Sequence, residues 1–229
     1  MENRSVSVVV PVFNEEKTIA QVVEPLLKTP LVSEVICVND GSWDKTLTIL
    51  KSFGNRIKLV DLKKNHGKGF ALALGVKKAV SEIVVFLDGD LLGLRPGHVD
   101  KLVTPLLNGQ ARVTMGLVPF SSTLAKPVSS FTGQRGYWRK DLVPYLKRIS
   151  KTRYGVEVYL NSLFDKREVA KIDLPDLIYL AKRHKMPFSE VPAAYLIQIL
   201  EISKTVAKVN GTKLKHISSY FDGYFKNHD

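Results

Sequence analysis

The sequence predicts an α/β domain built on a mostly parallel sheet flanked by helices. Three observations carry that expectation. Short apolar runs rich in β-branched residues recur at Val6–Val12, Val35–Val38, Ile57–Leu62 and Glu82–Leu87. Runs of this kind mark strands buried on both faces. Segments with helical periodicity separate them, and strands alternating with helices imply right-handed crossovers. Each run also ends in polar residues, at the edge where open α/β sheets hold their ligands.

Val6–Val12 is the first strand. Asn14 is placed to cap the helix that follows, whose apolar positions Ile19, Val22, Val23, Leu26 and Leu27 share one face. Pro25 should disturb its last turn. After the second strand, Asp40-Gly41-Ser42 leads into a short helix over 44–53, and Ile57–Leu62 returns to the sheet. Asn65-His66-Gly67-Lys68-Gly69 opens a helix to about Val80, and the fourth strand ends in Asp88-Gly89-Asp90.

Beyond it, 98–107 reads as a helix and 111–116 as a strand, while 117–133, rich in Ser, Thr and Pro, reads as a loop beside the site. Helical regions are expected from Trp138 and over 155–163, with late strands at 170–174 and 188–191. Residues 195–209 form an amphipathic helix, and the tail from Lys213 is basic and aromatic. The expected organisation is one domain over 1–192, in two halves that meet at 91–92, then a helical extension over 193–229.

The chain has 229 residues, of which 45% are hydrophobic, and a net charge of +12. Up to Gly133 there are 16 basic and 12 acidic residues, and beyond it 18 and 10. That surplus suits a phosphorylated partner or an anionic membrane face. No nucleic-acid module is present, since C₂H₂ spacing and RNP aromatics are both missing. The single cysteine, Cys37, excludes an intramolecular disulfide and reads as a buried thiol. No apolar stretch reaches bilayer length and the first strand begins at once, so the expected location is cytoplasmic, with peripheral membrane contact and homo-oligomerisation left open.

The chemistry concentrates at the strand ends. Asp88 and Asp90 lie two residues apart where a buried strand emerges, and two such carboxylates call for a compensating charge. Mg²⁺ or Mn²⁺ meets that need, because it takes carboxylate oxygens and leaves places for phosphate. Lys68, between two glycines at a helix N-terminus, suits a phosphate. Asp40 can accept a base N–H, and Glu15 can accept ribose hydroxyls. Neither a Walker A loop nor a GxGxxG fingerprint is present, which disfavours ATP hydrolysis and hydride transfer of those types.

Four ordered segments, Val9-Val10-Pro11-Val12-Phe13-Asn14-Glu15-Glu16, Val38-Asn39-Asp40-Gly41-Ser42, Asn65-His66-Gly67-Lys68-Gly69 and Asp88-Gly89-Asp90, resemble the inverting-type family-2 glycosyltransferases with the GT-A fold. Phe131-Thr132-Gly133-Gln134-Arg135-Gly136 and Tyr154-Gly155-Val156-Glu157 resemble segments of enzymes similar to glucosyl-3-phosphoglycerate synthases and dolichyl-phosphate mannosyltransferases. The resemblance implies transfer of a hexose from a nucleotide-diphospho sugar, UDP-linked by expectation, to a small phosphorylated or lipid acceptor. It implies donor contacts from Pro11, Phe13, Glu15, Asp40, Lys68 and Asp88, and a metal held by Asp88 and Asp90. Asp90 and Glu157 are the catalytic candidates, Glu157 as the group that orients or deprotonates the acceptor. Gln134 and Arg135 are candidates for an acceptor phosphate.

Two departures stand out. Tyr179 occupies the register where related enzymes often carry a metal-binding histidine. Leu92 stands where polyprenyl-phosphate sugar synthases often have Gln. A polyprenyl-phosphate sugar synthase, a sugar nucleotidyltransferase and a non-catalytic nucleotide-sugar-binding protein are the alternatives. The second is disfavoured because 11–16 is acidic and glycine-free.

Overall fold

A computed structural model describes residues 5–118, 132–180 and 205. Its main sheet has seven strands in the order β3-β2-β1-β4-β7-β6-β8. In chain order, β1 is Val6–Val12, α1 Ile19–Leu26, β2 Val32–Asp40, α2 Thr46–Ser52 and β3 Lys58–Leu62. Then come α3 (Lys68–Lys78), β4 (Ile83–Phe86), the short β5 (Leu91–Leu92), α4 (Pro96–Leu107) and β6 (Val113–Leu117). The chain continues through β7 (Arg135–Trp138), α5 (Arg139–Leu142), α6 (Leu146–Ile149), α7 (Val156–Ser162), β8 (Val169–Asp173) and β9 (Ile178–Tyr179).

Strands β3, β2, β1 and β4 pair in parallel, and β6 pairs in parallel with β8. Only β7 runs against its neighbours β4 and β6 in this sheet. The architecture is therefore the mostly parallel sheet expected from the sequence. Alternation along each strand divides the core into two layers. Val6, Val8, Val10 and Val12 of β1 pack with Ile19, Val22, Leu50, Leu102 and Leu106, under α1, α2 and α4. Val9 points to the other face, with Ile36, Val38, Val84, Phe86, Val76, Leu142 and Ile149 under α3, α5 and α6. Cys37 is fully buried, and burial pushes its thiol up to about 12, which makes it an inert apolar filler as expected.

Three expectations change. Asn14 does not cap α1, because that helix starts at Ile19, after Thr18. Asn14 instead adopts a left-handed backbone, φ 56°, and bridges two loops. Its N–H donates to Ser42 Oγ at 2.9 Å and its Oδ1 accepts from Trp43 N at 3.1 Å. Strand β7 was expected as motif and helix start; it enters mid-sheet, pairing Phe86 with Arg135 and Val85 with Gly136. A small second sheet pairs β5 with β9, setting Leu91 against Tyr179. The loop expected at 117–133 and the late strand at 188–191 lie largely or wholly outside the described residues. So do the helix at 195–209, except for Thr205, and the basic tail.

Gly75 shows how tightly α3 seats on the sheet, since a Cβ there would overlap the Val9 side chain. Gly97, in the first turn of α4, faces open space. Gly75→Ala should therefore lower the thermal midpoint, with overpacking costing about 1–3 kcal/mol against a helix-propensity gain of about 1 kcal/mol. Gly97→Ala should leave the midpoint unchanged or raise it. Calorimetric melts of the two variants check the contrast.

Candidate active site

Polar side chains from β1, β2, β4, β7 and β9 meet the N-terminus of α3 at one edge of the sheet. The loop before α3 is built by Asp40, at the end of β2. Its Oδ1 accepts from His66 N at 2.8 Å and its Oδ2 from Gly67 N at 2.7 Å. Gly67 has φ 96°, a conformation that favours glycine, and a Cβ there would strike Arg153. Arg153, itself at φ 45°, reaches His66 O and Asn65 Oδ1 at 3.4 Å each. The loop is thus clamped from both sides, and this presents Lys68 at the first position of the helix.

Lys68 is the hub of the site. Its Nζ lies 2.6 Å from Asp88 Oδ1 and 2.6 Å from Glu157 Oε1. The side chains of Lys68, Asp88 and Glu157 are 20%, 15% and 12% exposed. Burial disfavours the charged lysine, but the two carboxylates outweigh it and raise its pKa above the ordinary lysine value. An ammonium has three N–H donors; two are committed among the described residues, and the third can serve a ligand.

Asp88 is held from its other side as well. Gln134 Nε2 donates to Asp88 Oδ2 at 3.1 Å, and the Gln134 carbonyl accepts from Tyr179 at 2.6 Å and Thr132 at 2.5 Å. Gly133 lies so close that a Cβ would overlap the Asp88 carboxylate. The turn itself is pinned by Thr18, whose hydroxyl donates to Gly89 O at 2.7 Å, and by Leu180 N on Asp90 O at 3.0 Å. Glu15 is placed by its N–H on Thr46 Oγ1 at 2.8 Å. A cleft runs beside it, lined by Asn14, Glu15, Trp43, Asp44 and Leu180 among others, with Trp43 79% exposed.

The structure thus brings Pro11, Phe13, Glu15, Asp40, Lys68, Asp88, Asp90, Gln134 and Glu157 to one edge and turns Arg135 away from it; Asp40, Gln134 and Arg135 all have protein partners of their own. Asp40 is 3% exposed and commits both oxygens to the α3 loop, so a base could be met only by sharing those bonds. Arg135 does not face an acceptor phosphate. It is 1% exposed and turned into the core, donating to Thr132 O at 2.7 Å and Asn161 Oδ1 at 2.7 Å. Buried guanidinium charge needs such acceptors, and here it braces the segment that carries Gln134. Gln134, expected at the acceptor, is buried and contacts Asp88 instead. Thr18, Thr46 and Arg153 were not singled out from sequence, because isolated hydroxyls and a surface arginine carry no spacing signal; Thr132 was read only as part of the segment around Gln134, with no role of its own.

Among the described residues no group of three or more His, Cys, Asp and Glu is arranged to hold a metal. Asp88 and Asp90 do supply hard oxygen donors at one turn, a set that fits Mg²⁺ or Mn²⁺ when phosphate oxygens and water complete the shell. Asp88 has acceptor capacity beyond its two bonds, since a carboxylate offers about four lone-pair directions.

The chain is 38% identical over 114 residues to glucosyl-3-phosphoglycerate synthase of Mycobacterium tuberculosis, a match covering 47% of this chain and 35% of that protein. It is 29% identical over 124 residues to dodecaprenyl-phosphate galacturonate synthase of Rhizobium johnstonii, covering 51% and 36%. The chain thus spans about a third of the length of these relatives. Among solved structures, the M. tuberculosis synthase with Mn²⁺, UDP-glucose and phosphoglyceric acid superposes with a TM-score of 0.71, at 24% identity and 92% and 81% coverage, which shows the shared GT-A fold. A second such complex gives a TM-score of 0.66 at 26% identity, covering 87% and 78%. The model of the family described as Glycosyl transferase family 2 matches residues 7–165. The chain belongs to glycosyltransferase family 2.

Proposed function

We propose that the chain transfers a hexose from a UDP-linked sugar to a small phosphorylated acceptor, assisted by Mg²⁺ or Mn²⁺. The observation that carries this is the line Glu157–Lys68–Asp88–Gln134 at the ligand edge of the sheet. It is a preorganised cation beside two carboxylates and the Asp88-Gly89-Asp90 turn, and a departing nucleotide diphosphate demands that arrangement. The related mycobacterial structures are complexes with UDP-glucose, phosphoglyceric acid and Mn²⁺ together, which supports the donor, acceptor and metal classes proposed.

Asp88 and Asp90 would hold the metal, which when bound supplies Lewis-acid stabilisation of the leaving diphosphate. Lys68 offers its third N–H to the same charge. Glu157 keeps Lys68 in place through Oε1 and turns Oε2, which has no hydrogen bond among the described residues, to the acceptor hydroxyl. Glu15 and Pro11 would line the ribose side, with Phe13 beside them. A lipid-phosphate acceptor is the second reading, favoured by the likeness to the dodecaprenyl-phosphate enzyme. No helix among the described residues is long and apolar enough to cross a membrane, so that reading calls for contact at a membrane face.

The test is product formation from UDP-glucose and 3-phosphoglycerate with Mn²⁺, followed by NMR of the glucosylated product. Asp90→Ala should abolish transfer while the protein stays folded; full activity in that variant would refute the metal role. Lys68→Met should lower kcat roughly 10²-fold, the usual cost of removing one preorganised donor from developing charge. The pH dependence follows from the raised Lys68 pKa. The Lys68 pairing is complete below the unfolded lysine value, about 10.4, and is lost only as pH rises through the still higher folded value. Any alkaline limb of kcat below about pH 10 should therefore survive in Lys68→Arg; its disappearance there would assign it to Lys68.

A further inference from the structure

Gln134 is fully buried, and every polar atom of its side chain is engaged. The amide nitrogen holds Asp88 Oδ2, while the carbonyl oxygen takes two hydroxyl donors from different parts of the chain. Thr132 precedes it by two residues and stands at 2.5 Å; Tyr179 comes from β9 and stands at 2.6 Å. The two hydroxyls are themselves 3.5 Å apart. One donor is enough to satisfy a buried carbonyl oxygen, whereas none leaves it orphaned at a cost that favours rotation of the side chain.

From this redundancy we infer that Tyr179 and Thr132 are paired positioning residues for Asp88, acting through the Gln134 amide. The inference deepens the proposed transferase function, because it concerns how the donor-side carboxylate is aimed. Either hydroxyl locks the carbonyl and thereby keeps the amide nitrogen on Asp88. With Asp88 Oδ2 so fixed, Oδ1 stays on Lys68 and the lysine stays aimed at the diphosphate. Tyr179 reaches this place only because β9 pairs with β5 immediately after the aspartate turn, Leu91 opposite Tyr179. Docking of β9 is therefore transmitted to Asp88. Burial and the nearby Asp88 charge both raise the Tyr179 phenol pKa, which keeps it a neutral donor.

A double-mutant cycle tests the relay. Tyr179→Phe and Thr132→Val should each lower kcat by less than about threefold, and the pair together by at least thirtyfold, with the donor KM changed by less than threefold. Such non-additivity is the mark of a shared partner. Tyr179→Phe combined with Thr132→Ser should stay at the level of Tyr179→Phe alone, because serine keeps the hydroxyl. On a Gln134→Leu background, Tyr179→Phe should be silent, and this arm serves even if the double variant does not fold. Additive losses, a fully active double variant, or a further loss from Tyr179→Phe on Gln134→Leu would each overturn the relay.

A readout without turnover separates the relay from the functional proposal. The Gln134 side-chain ¹⁵N amide signals, assigned by their loss in Gln134→Leu, should exchange slowly in the wild type and in both single variants. They should collapse toward a free amide when both hydroxyls are gone. Failure of the wild type to use any UDP-sugar would sink the transferase proposal and leave this result standing. Slow exchange persisting in the double variant would sink the relay whatever the donor.

Discussion

A partly buried ammonium between two carboxylates sets the terms for the rest of the site. Asp88 and Glu157 come from elements far apart in the chain, the end of β4 and the first turn of α7, and both are largely removed from water. Without a cation they would repel at low effective dielectric. Lys68 resolves this, but only if α3 begins where it does, and that start is fixed by Asp40 gripping the two N–H groups before it. One acidic residue in β2 therefore builds the loop that aims the lysine that joins two others.

The sheet gives these groups their common edge. Six strands point one way, so the residues after β1, β2 and β4 arrive together, and the antiparallel β7 brings Gln134 back to the same edge from the opposite direction. The close approaches are made by residues without side chains. Gly133 lies against Asp88, and Gly155, just before α7, leaves room for the Thr205 side chain. The buried Arg135 ties the Thr132 carbonyl to Asn161, so the segment facing Asp88 is braced by charge-assisted hydrogen bonds and not by apolar packing alone.

Much of this was legible in the sequence, for physical reasons that differ by element. β1 was read with its observed limits because its apolar run is uninterrupted and bounded by polar residues. Asp88, Asp90 and Lys68 were legible because charge at the end of a buried strand or between glycines at a helix start has few bland uses. β7 was not, because Arg135 and Gly136 break its apolar pattern in a strand of only four residues. Burial was the other blind spot. Sequence gives the chemistry of Asp40 and Arg135 but not the direction in which each points, so both were expected at a ligand and both are used to hold the protein's own backbone. Tyr179 was noticed only as a departure, and its hydrogen bond to Gln134 depends on a two-residue strand that no periodicity reveals.

On the proposed function, the diphosphate of a nucleotide-diphospho sugar binds at this edge and needs both Lys68 and a divalent cation. Calorimetric titration of UDP-glucose into the folded protein, with Mn²⁺ and then with a chelator, tests it most directly. Saturable one-to-one binding with Mn²⁺ is expected, weakened at least tenfold by chelation, which corresponds to about 1.4 kcal/mol. Binding of equal strength with and without metal, or none to a folded protein, would contradict it.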